Sequence, residues 1–132
     1  MSITIDTSGE LRHPNLHDGT VEGVELEASQ GLRIALRDVV GQAYRLRLRG
    51  LRRLLCNEFR EGNIILSLSI ESRMRPDLRW LRHLLGRTKD EDRLVAEAAR
   101  AVAEGRLTLV TIVPSYGCEL AALCESAEIE TA

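Results

Sequence analysis

The chain has 132 residues, which is enough for one domain and too few for two of ordinary size. Its hydrophobic content of 44% supports a packed core, and its net charge of −2 excludes a uniformly basic nucleic-acid protein and a disordered polyelectrolyte. No apolar run reaches the roughly 20 residues that a membrane helix needs, and the N-terminus lacks the pattern of a secretory signal. We therefore expect a single cytoplasmic domain over residues 1–132, without membrane association.

The charge is segregated along the chain. Residues 1–30 carry a net charge of −5, residues 31–87 carry +8, and residues 88–132 carry −5. The basic middle could form an anion-binding surface, or acidic and basic strands could lie side by side and neutralise each other. The second interpretation is favoured, because the strand pairing predicted below places opposite charges in register.

Three segments within residues 20–49 alternate between apolar and polar side chains. This period of two predicts strands with one face in a core and one in water, here an antiparallel three-stranded meander. In the predicted register Leu26 faces Ile34, and Leu36 faces Tyr44.

This register leaves two three-residue hairpin loops, Ser29–Gly31 and Val39–Gly41. Each loop ends in glycine, so Gly31 and Gly41 are predicted to adopt a positive φ. Val21 is out of phase with the residues that follow, which predicts a bulge near Gly23.

Gly50 leaves two interpretations open. Residues 51–59 form either a new strand after a tight turn or the same strand continued past a glycine bend. A tight turn would bring the loop Phe59–Asn63 to the end of the sheet where residues 13–19 enter. A bend would place that loop at the opposite end.

The next strand covers residues 64–70. Ile64, Leu66 and Leu68 alternate with Ile65 and Ser67 there. The alternation predicts that the first three side chains share one face of the sheet.

The apolar period then changes to that of helices. Two consecutive helices are predicted at about 76–86 and 89–104, the second with a capping box at residues 88–91. Strands follow at residues 107–113 and 118–125. The predicted fold class is α+β, with a largely antiparallel sheet of six to eight strands and both helices packed on one face.

The densest polar cluster is His13–Gly19. His13 and His17 are four apart and could bind zinc on a helix, but His13 precedes a proline, which disfavours a helix there. The favoured interpretation is that His17 and Asp18 hydrogen-bond to the loop backbone and fix the entry into the first strand of the meander. A small metal-dependent hydrolase using His17 and Asp18 is an alternative. No cofactor and no metal ligand set are predicted.

The three cysteines do not suggest catalysis. Cys56, Cys118 and Cys124 share the parity of apolar neighbours and are predicted to be reduced and buried. Six residues along a strand span about 20 Å, which is too far for a disulfide between Cys118 and Cys124.

An arginine run in residues 45–53 carries the case for nucleic-acid binding, because arginines on a sheet face could follow phosphates. The chain has only four aromatic residues, whereas sheets that bind single strands usually offer rings for base stacking. Nucleic acid is therefore an alternative partner and not the favoured one.

Two segments resemble a known group of proteins. Leu16-His17-Asp18-Gly19 with the meander after it, together with residues 57–65, resembles small uncharacterised bacterial proteins, some of which look like the immunity proteins of polymorphic toxin systems. Residues 114–120 and 122–125 fit the same pattern. The resemblance implies a protein that binds a bacterial toxin stoichiometrically and blocks it, without a cofactor or turnover of its own.

The sequence as a whole therefore predicts a non-enzymatic protein-binding module. Polar loops at one end of a rigid sheet are a usual place for a binding site. The predicted partner surface consists of His17, Asp18, Asp38 and Arg60.

Overall fold

The structure is a computed structural model and describes residues 1–86 and 88–132. In this part of the chain there are ten strands and two helices. Their bounds are β1 Thr4–Ile5, β2 Leu11–His13, β3 Thr20–Glu27, β4 Gly31–Arg37, β5 Ala43–Arg49, β6 Arg53–Asn57, β7 Ile64–Glu71, α1 Leu78–Leu85, α2 Glu91–Ala103, β8 Thr108–Tyr116, β9 Glu119–Cys124 and β10 Ser126–Thr131.

The predicted α+β class is confirmed. Eight strands form one antiparallel sheet in the order β10-β5-β4-β3-β7-β8-β9-β6, and β1 pairs with β2 beside it. The main core consists of the side chains that point inward from these strands, with the largest contributions from leucine and isoleucine. Burial of this apolar surface is the main force that stabilises the sheet.

The sheet closes on itself through two continuous strands. β5 continues into β6 through a bend at Gly50, and β9 continues into β10 at Glu125, while β5 pairs with β10 and β6 with β9. Backbone hydrogen bonds carry the pairing across the bend, from Glu125 N to Arg49 O at 2.9 Å and from Arg52 N to Leu123 O at 2.8 Å. Gly50 is therefore a bend in a continuing strand, with a φ of +65° that favours glycine.

The loop at residues 58–63 lies beside the start of β3. Asn63 Nδ2 donates to the Val21 carbonyl at 3.1 Å. With a bend at Gly50 this loop was expected at the opposite end of the sheet, and that expectation is wrong. The reason is that β7 pairs with β3 only at Thr20 and Ile64 and then runs alongside the segment that precedes β3.

The meander over β3, β4 and β5 is confirmed. Leu36 lies opposite Tyr44 as predicted, and Gly41 in the connecting loop has a φ of +93°. The predicted bulge is present, since the register between β3 and β4 shifts between Val21 and Gly23.

The predicted register of the first hairpin is wrong by two residues. Ile34 lies opposite Val24, and Ser29 and Gln30 adopt the left-handed conformation with φ of 64° and 61°. Gly31 begins β4 and is not in the left-handed region. These two residues take the role that the sequence pattern assigned to glycine, in a conformation that is uncommon for residues other than glycine.

Two leucines on strands are exposed: Leu26, which was predicted to face the core, and Leu66 of β7. Leu26 has an exposed fraction of 67%, because β7 pairs with β3 only at the other end of β3. Leu66 points outward with Ile64, because the pairing of β7 with β8 is irregular between Ile65 and Ser67. An extra residue in one strand reverses the parity of the side chains beyond it, so Leu68 is buried while Leu66 is not.

The two predicted helices are present and pack together against one face of the sheet. Leu81 of α1 and Val102 of α2 are fully buried against Leu109 of β8 and Leu123 of β9. Ala98 on the same face of α2 allows a close approach to the sheet.

The helix N-termini differ from the prediction. α1 is capped by Asp77, whose Oδ1 accepts from Arg79 N at 2.9 Å. The capping box predicted for α2 is wrong, because α2 begins after Asp90 and its first turn has no side-chain cap. The Thr88 carbonyl accepts from Glu91 N at 3.3 Å.

Candidate protein-binding surface

The loop that enters β3 is held by its own backbone and by one asparagine. Asn15 Oδ1 accepts from His17 N at 3.1 Å, and Gly19 N donates to Leu16 O at 2.9 Å. Leu16 is buried and anchors the loop in the main core. The loop therefore has a defined shape although most of its side chains are polar.

His17 and Asp18 lie next to each other on the outside of this loop. His17 Nδ1 is 2.8 Å from the carbonyl of Leu66 in β7, and His17 Nε2 is 3.6 Å from Asp18 Oδ2. A carbonyl only accepts, so Nδ1 carries the proton in this contact. His17 thus joins the loop to β7, whereas the Asp18 carboxylate is exposed and makes no hydrogen bond to the described backbone.

Asp38 lies in the loop between β4 and β5, and its carboxylate accepts hydrogen bonds from the backbone of that loop. Its Oδ1 accepts from Val40 N at 3.1 Å and from Gln42 N at 2.9 Å. Burial first, and then the Asp38 carboxylate, raise the pKa of Tyr44. A Cβ at Gly19 would lie 2.5 Å from a backbone oxygen and 3.3 Å from Asp38 Cα, so the two loops are in contact and only glycine fits there.

Arg60 lies on the loop between β6 and β7. Its guanidinium pairs with Glu58 and lies 5.8 Å from the ring centroid of Tyr116, whose hydroxyl donates to Glu61 at 3.2 Å. The hydrogen bond and charge of Glu58 raise the pKa of Arg60, so the residue stays cationic. None of the contacts of the described residues joins Arg60 to His17, Asp18 or Asp38.

The sequence pattern missed an apolar patch that lies between Arg60 and His17. It consists of Ile64, Leu66 and Tyr116, with exposed fractions of 37%, 46% and 43%. Ile64 and Tyr116 are paired across β7 and β8, and the carbonyl of Leu66 holds the His17 ring. The apolar run at residues 64–66 is the signal in the sequence, because three consecutive apolar residues place apolar side chains on both faces of the strand.

Asn63 organises this region, a role that the sequence pattern did not indicate. Its Oδ1 accepts from Arg60 N at 2.8 Å and from Cys118 N at 3.0 Å. Its Nδ2 donates to Val21 O at 3.1 Å and to Arg60 O at 2.8 Å. The side chain is buried with all of its hydrogen-bonding capacity used, and it ties β3 and the turn between β8 and β9 to the loop at residues 58–63.

The arginine run is neutralised by glutamates, as the favoured interpretation of the charge pattern predicted. Four of its arginines contact a carboxylate on a neighbouring segment. The pairs are Arg45–Glu130 at 3.2 Å, Arg47–Glu27 at 3.6 Å, Arg49–Glu128 at 3.0 Å and Arg52–Glu125 at 2.7 Å. A nucleic-acid phosphate would have to compete with these carboxylates, so the arrangement does not favour the nucleic-acid alternative.

The cysteine side chains differ in burial, and the histidines of the described residues belong to no metal-binding group. A catalytic zinc site usually has three protein ligands, and residues 1–86 and 88–132 contain no group of three His, Cys, Asp or Glu side chains placed to hold a metal. Cys118 and Cys124 are buried as predicted, and burial raises the pKa of each thiol to about 12. Cys56 was predicted to be buried and is exposed.

Within the described residues, no helix is long and apolar enough to cross a membrane. Comparisons with protein-family models, with curated proteins and with solved structures find no match.

Proposed function

We propose that the protein is a non-enzymatic protein-binding module whose partner docks on the apolar patch and the polar loops around it. The observation that carries this proposal is the patch itself, in which three neighbouring large apolar side chains of β7 and β8 are exposed. The proposed binding surface consists of Ile64, Leu66, Tyr116, His17, Asp18, Asp38 and Arg60.

The composition of this surface matches that of protein interfaces. Interface cores are depleted in charge and enriched in aromatic residues, and charged groups form the rim. Here Tyr116 and Leu66 supply the apolar centre, while Asp18 and Arg60 supply charges of opposite sign at its two sides. Tyrosine and arginine are also the residue types that most often dominate binding energy.

The loops around the patch are ordered before any partner arrives. Asn63 holds the loop of Arg60 through its four side-chain hydrogen bonds, and the contact of Gly19 with Asp38 holds the other two loops together. A preorganised surface loses less conformational entropy on association, which favours tight stoichiometric binding.

The resemblance to immunity proteins supplies the class of partner. We propose that the partner is a bacterial toxin, which this protein binds and blocks in the cytoplasm. Free cysteines fit a reducing compartment of this kind. Inhibition by binding requires no catalytic set, and the pair of His17 and Asp18 acts at the rim of the surface.

The decisive experiment compares two exposed leucines on strands. Leu66→Glu places a charge in the patch, and Leu26→Glu places the same charge on an exposed strand position outside it. Each purified variant is titrated calorimetrically with the proteins encoded beside its gene. We expect Leu66→Glu to weaken binding about tenfold or more, which corresponds to ~1.4 kcal/mol. We expect Leu26→Glu to bind like the unmodified protein.

Two outcomes would contradict the proposal. One is equal loss of binding in both variants with unchanged melting temperatures, because the patch would then have no special role. The other is tight, salt-sensitive binding of a single-stranded oligonucleotide by the unmodified protein, which would favour the arginine strands instead.

A further inference from the structure

Two cysteines that are far apart in the sequence are in contact in the fold. Cys56 Sγ of β6 lies 3.8 Å from Cys118 Sγ, which precedes β9. Cys56 is exposed, whereas Cys118 is buried in the main core. One thiol can therefore meet a reagent from solution, while the other is shielded from solvent and touches the first.

The pairing of β6 with β9 explains this contact. Cys56 lies opposite Leu120, so Cys118 is its diagonal neighbour across the ladder. The S–S bond of a disulfide is about 2.05 Å long, so the two sulfur atoms need to approach by less than about 2 Å in total. Cys118 follows Gly117, whose φ of +83° belongs to the turn between β8 and β9. Its backbone is held by the hydrogen bond from Cys118 N to Asn63 Oδ1.

We propose that Cys56 and Cys118 form a reversible dithiol–disulfide site for peroxides. Cys56 is the attacking thiol, because it alone of the two is exposed. Cys118 is the resolving thiol, because its sulfur touches Cys56 and is shielded from the solvent.

The reaction balances in two steps. In the first, the Cys56 thiolate attacks one oxygen of a peroxide, an S–O bond forms and the O–O bond breaks. Cys56 is thereby oxidised by two electrons to a sulfenic acid, and the other oxygen leaves as hydroxide or alkoxide. In the second, Cys118 Sγ attacks Cys56 Sγ, the S–S bond forms and the S–O bond breaks. The thiol proton of Cys118 leaves with the departing oxygen as water.

The third cysteine, Cys124, takes no part in this site, because its surroundings are different. Cys124 is fully buried, and its Sγ donates to the Thr108 carbonyl at 3.6 Å. Cys118 also keeps its proton at neutral pH, since burial and the neighbouring Cys56 raise its pKa to about 12. In the second step Cys118 therefore loses this proton as its sulfur attacks Cys56, because the thiolate is the nucleophile, and the departing oxygen takes up the proton and leaves as water.

The test treats the reduced full chain with hydrogen peroxide and follows its mass. We expect the unmodified protein to lose the mass of two hydrogen atoms, with a non-reducing peptide map that links Cys56 to Cys118. Dithiothreitol should restore the original mass. Cys124→Ala is the matched control and should form the same link, whereas Cys56→Ser should form none.

Cys118→Ala distinguishes the two roles. In this variant we expect peroxide to leave a sulfenic acid on Cys56, which dimedone traps as an adduct. Since Cys118 is buried, Cys118→Val is made in parallel, and the adduct is scored in whichever variant melts cooperatively. The proposal is overturned if the unmodified protein gains oxygen without losing two hydrogens, if it links Cys124 to either cysteine, or if only intermolecular disulfides form.

Discussion

Two polar loops meet at the start of β3, and they differ in what their polar groups do. In the loop 58–63, the Asn63 side chain is 2% exposed and makes four hydrogen bonds to backbone groups. In the loop 14–19, His17 and Asp18 are exposed, and only His17 makes a side-chain hydrogen bond to another strand. The first loop organises this end of the sheet, and the second presents groups to solvent.

The density of polar residues along the chain therefore does not locate the polar group on which the fold depends. A buried polar group that loses its partners costs the full desolvation penalty of the groups left behind, whereas an exposed group exchanges its partner for water. The cluster at His13–Gly19 is the most conspicuous polar feature of the sequence, although a single asparagine elsewhere has the larger structural role.

The largest expected effect is therefore at Asn63. Asn63→Ala leaves Cys118 N and the Val21 carbonyl without their partners, and we expect a loss of about 2–4 kcal/mol in the free energy of unfolding. Urea denaturation followed by circular dichroism measures this. Asn15→Ala is the matched control, since its side chain accepts one hydrogen bond at the surface, and it should cost less than about 1 kcal/mol. Equal losses in both variants would remove the distinction between the loops.

The next effect concerns two glycines that the sequence pattern treated alike. Gly41 has a φ of +93°, and a Cβ added there would meet no atom within 4 Å, so Gly41→Ala should cost about 1 kcal/mol through the backbone alone. Gly31 lies in an ordinary strand conformation, so Gly31→Ala should change stability much less. Thermal melts of both variants check this. A larger loss at Gly31 than at Gly41 would contradict the observed register of the first hairpin.

Glu71 contrasts with Asn63, because it is a buried polar group that lacks good hydrogen-bond partners. It therefore tests what burial costs when a polar group is not well satisfied. Among the described residues its carboxylate accepts a single long hydrogen bond, from Asp77 N at 3.4 Å, and burial raises its pKa. A pKa that is higher in the folded state means that folding favours the protonated, neutral form of this side chain. Stability is therefore lost as the pH rises through that pKa.

Replacement of the Glu71 carboxylate by a neutral amide should remove this loss of stability at neutral pH. We expect Glu71→Gln to melt at a higher temperature than the unmodified protein at pH 7, and the gap should close as the pH falls below about 4.3, the ordinary pKa of glutamate. Glu97→Gln on the exposed face of α2 is the control and should not show a gap of this sign. A Glu71→Gln variant that is less stable at pH 7 would contradict the effect of burial.

The smallest effect on stability is expected in the exposed loop. His17→Ala and Asp18→Asn should change the free energy of unfolding by about 0.5 kcal/mol or less, since both side chains are solvated. Asparagine is chosen because Asp18 has a φ of 62°, which asparagine tolerates. Calorimetric titration with the partner should show weaker binding for both. A large drop in melting temperature with intact binding would leave His17 a purely structural role.

The sequence predicted what depends on near neighbours. The alternation in residues 43–49, the turn at Gly41 and the apolar stripes of both helices are local signals, and they indicated the meander, one register and the helical layer correctly. The register at Ser29 and Gln30 was missed because two non-glycine residues adopt the left-handed conformation. The apolar patch was missed because an irregularity in β7 reverses the side-chain parity between Leu66 and Leu68.

What could not be predicted depends on distant pairing. Nothing in the composition of residues 43–57 indicates that they pair with residues 119–131, and the ambiguity at Gly50 was resolved only by that pairing. The same holds for the contact between Cys56 and Cys118, and for the position of the loop 58–63. Of the predicted surface residues, Asp38 was assigned to the correct end of the sheet, while the contacts of Arg60 with Tyr116 have no local signature.

Closure of the sheet by two continuous strands has a consequence for the order of events during synthesis. Arg49 pairs with Ser126, 77 positions later, and the strand that carries Ser126 also covers the edge of β5. Contacts between such distant positions slow folding, because the entropy of closing the loop is lost before the contacts form. The meander can therefore form while the ribosome is still adding residues, whereas the two helices need β8 and β9 to cover their buried faces. The core can be completed only after residues 119–131 have left the exit tunnel, so we expect protease resistance to arise only after that point.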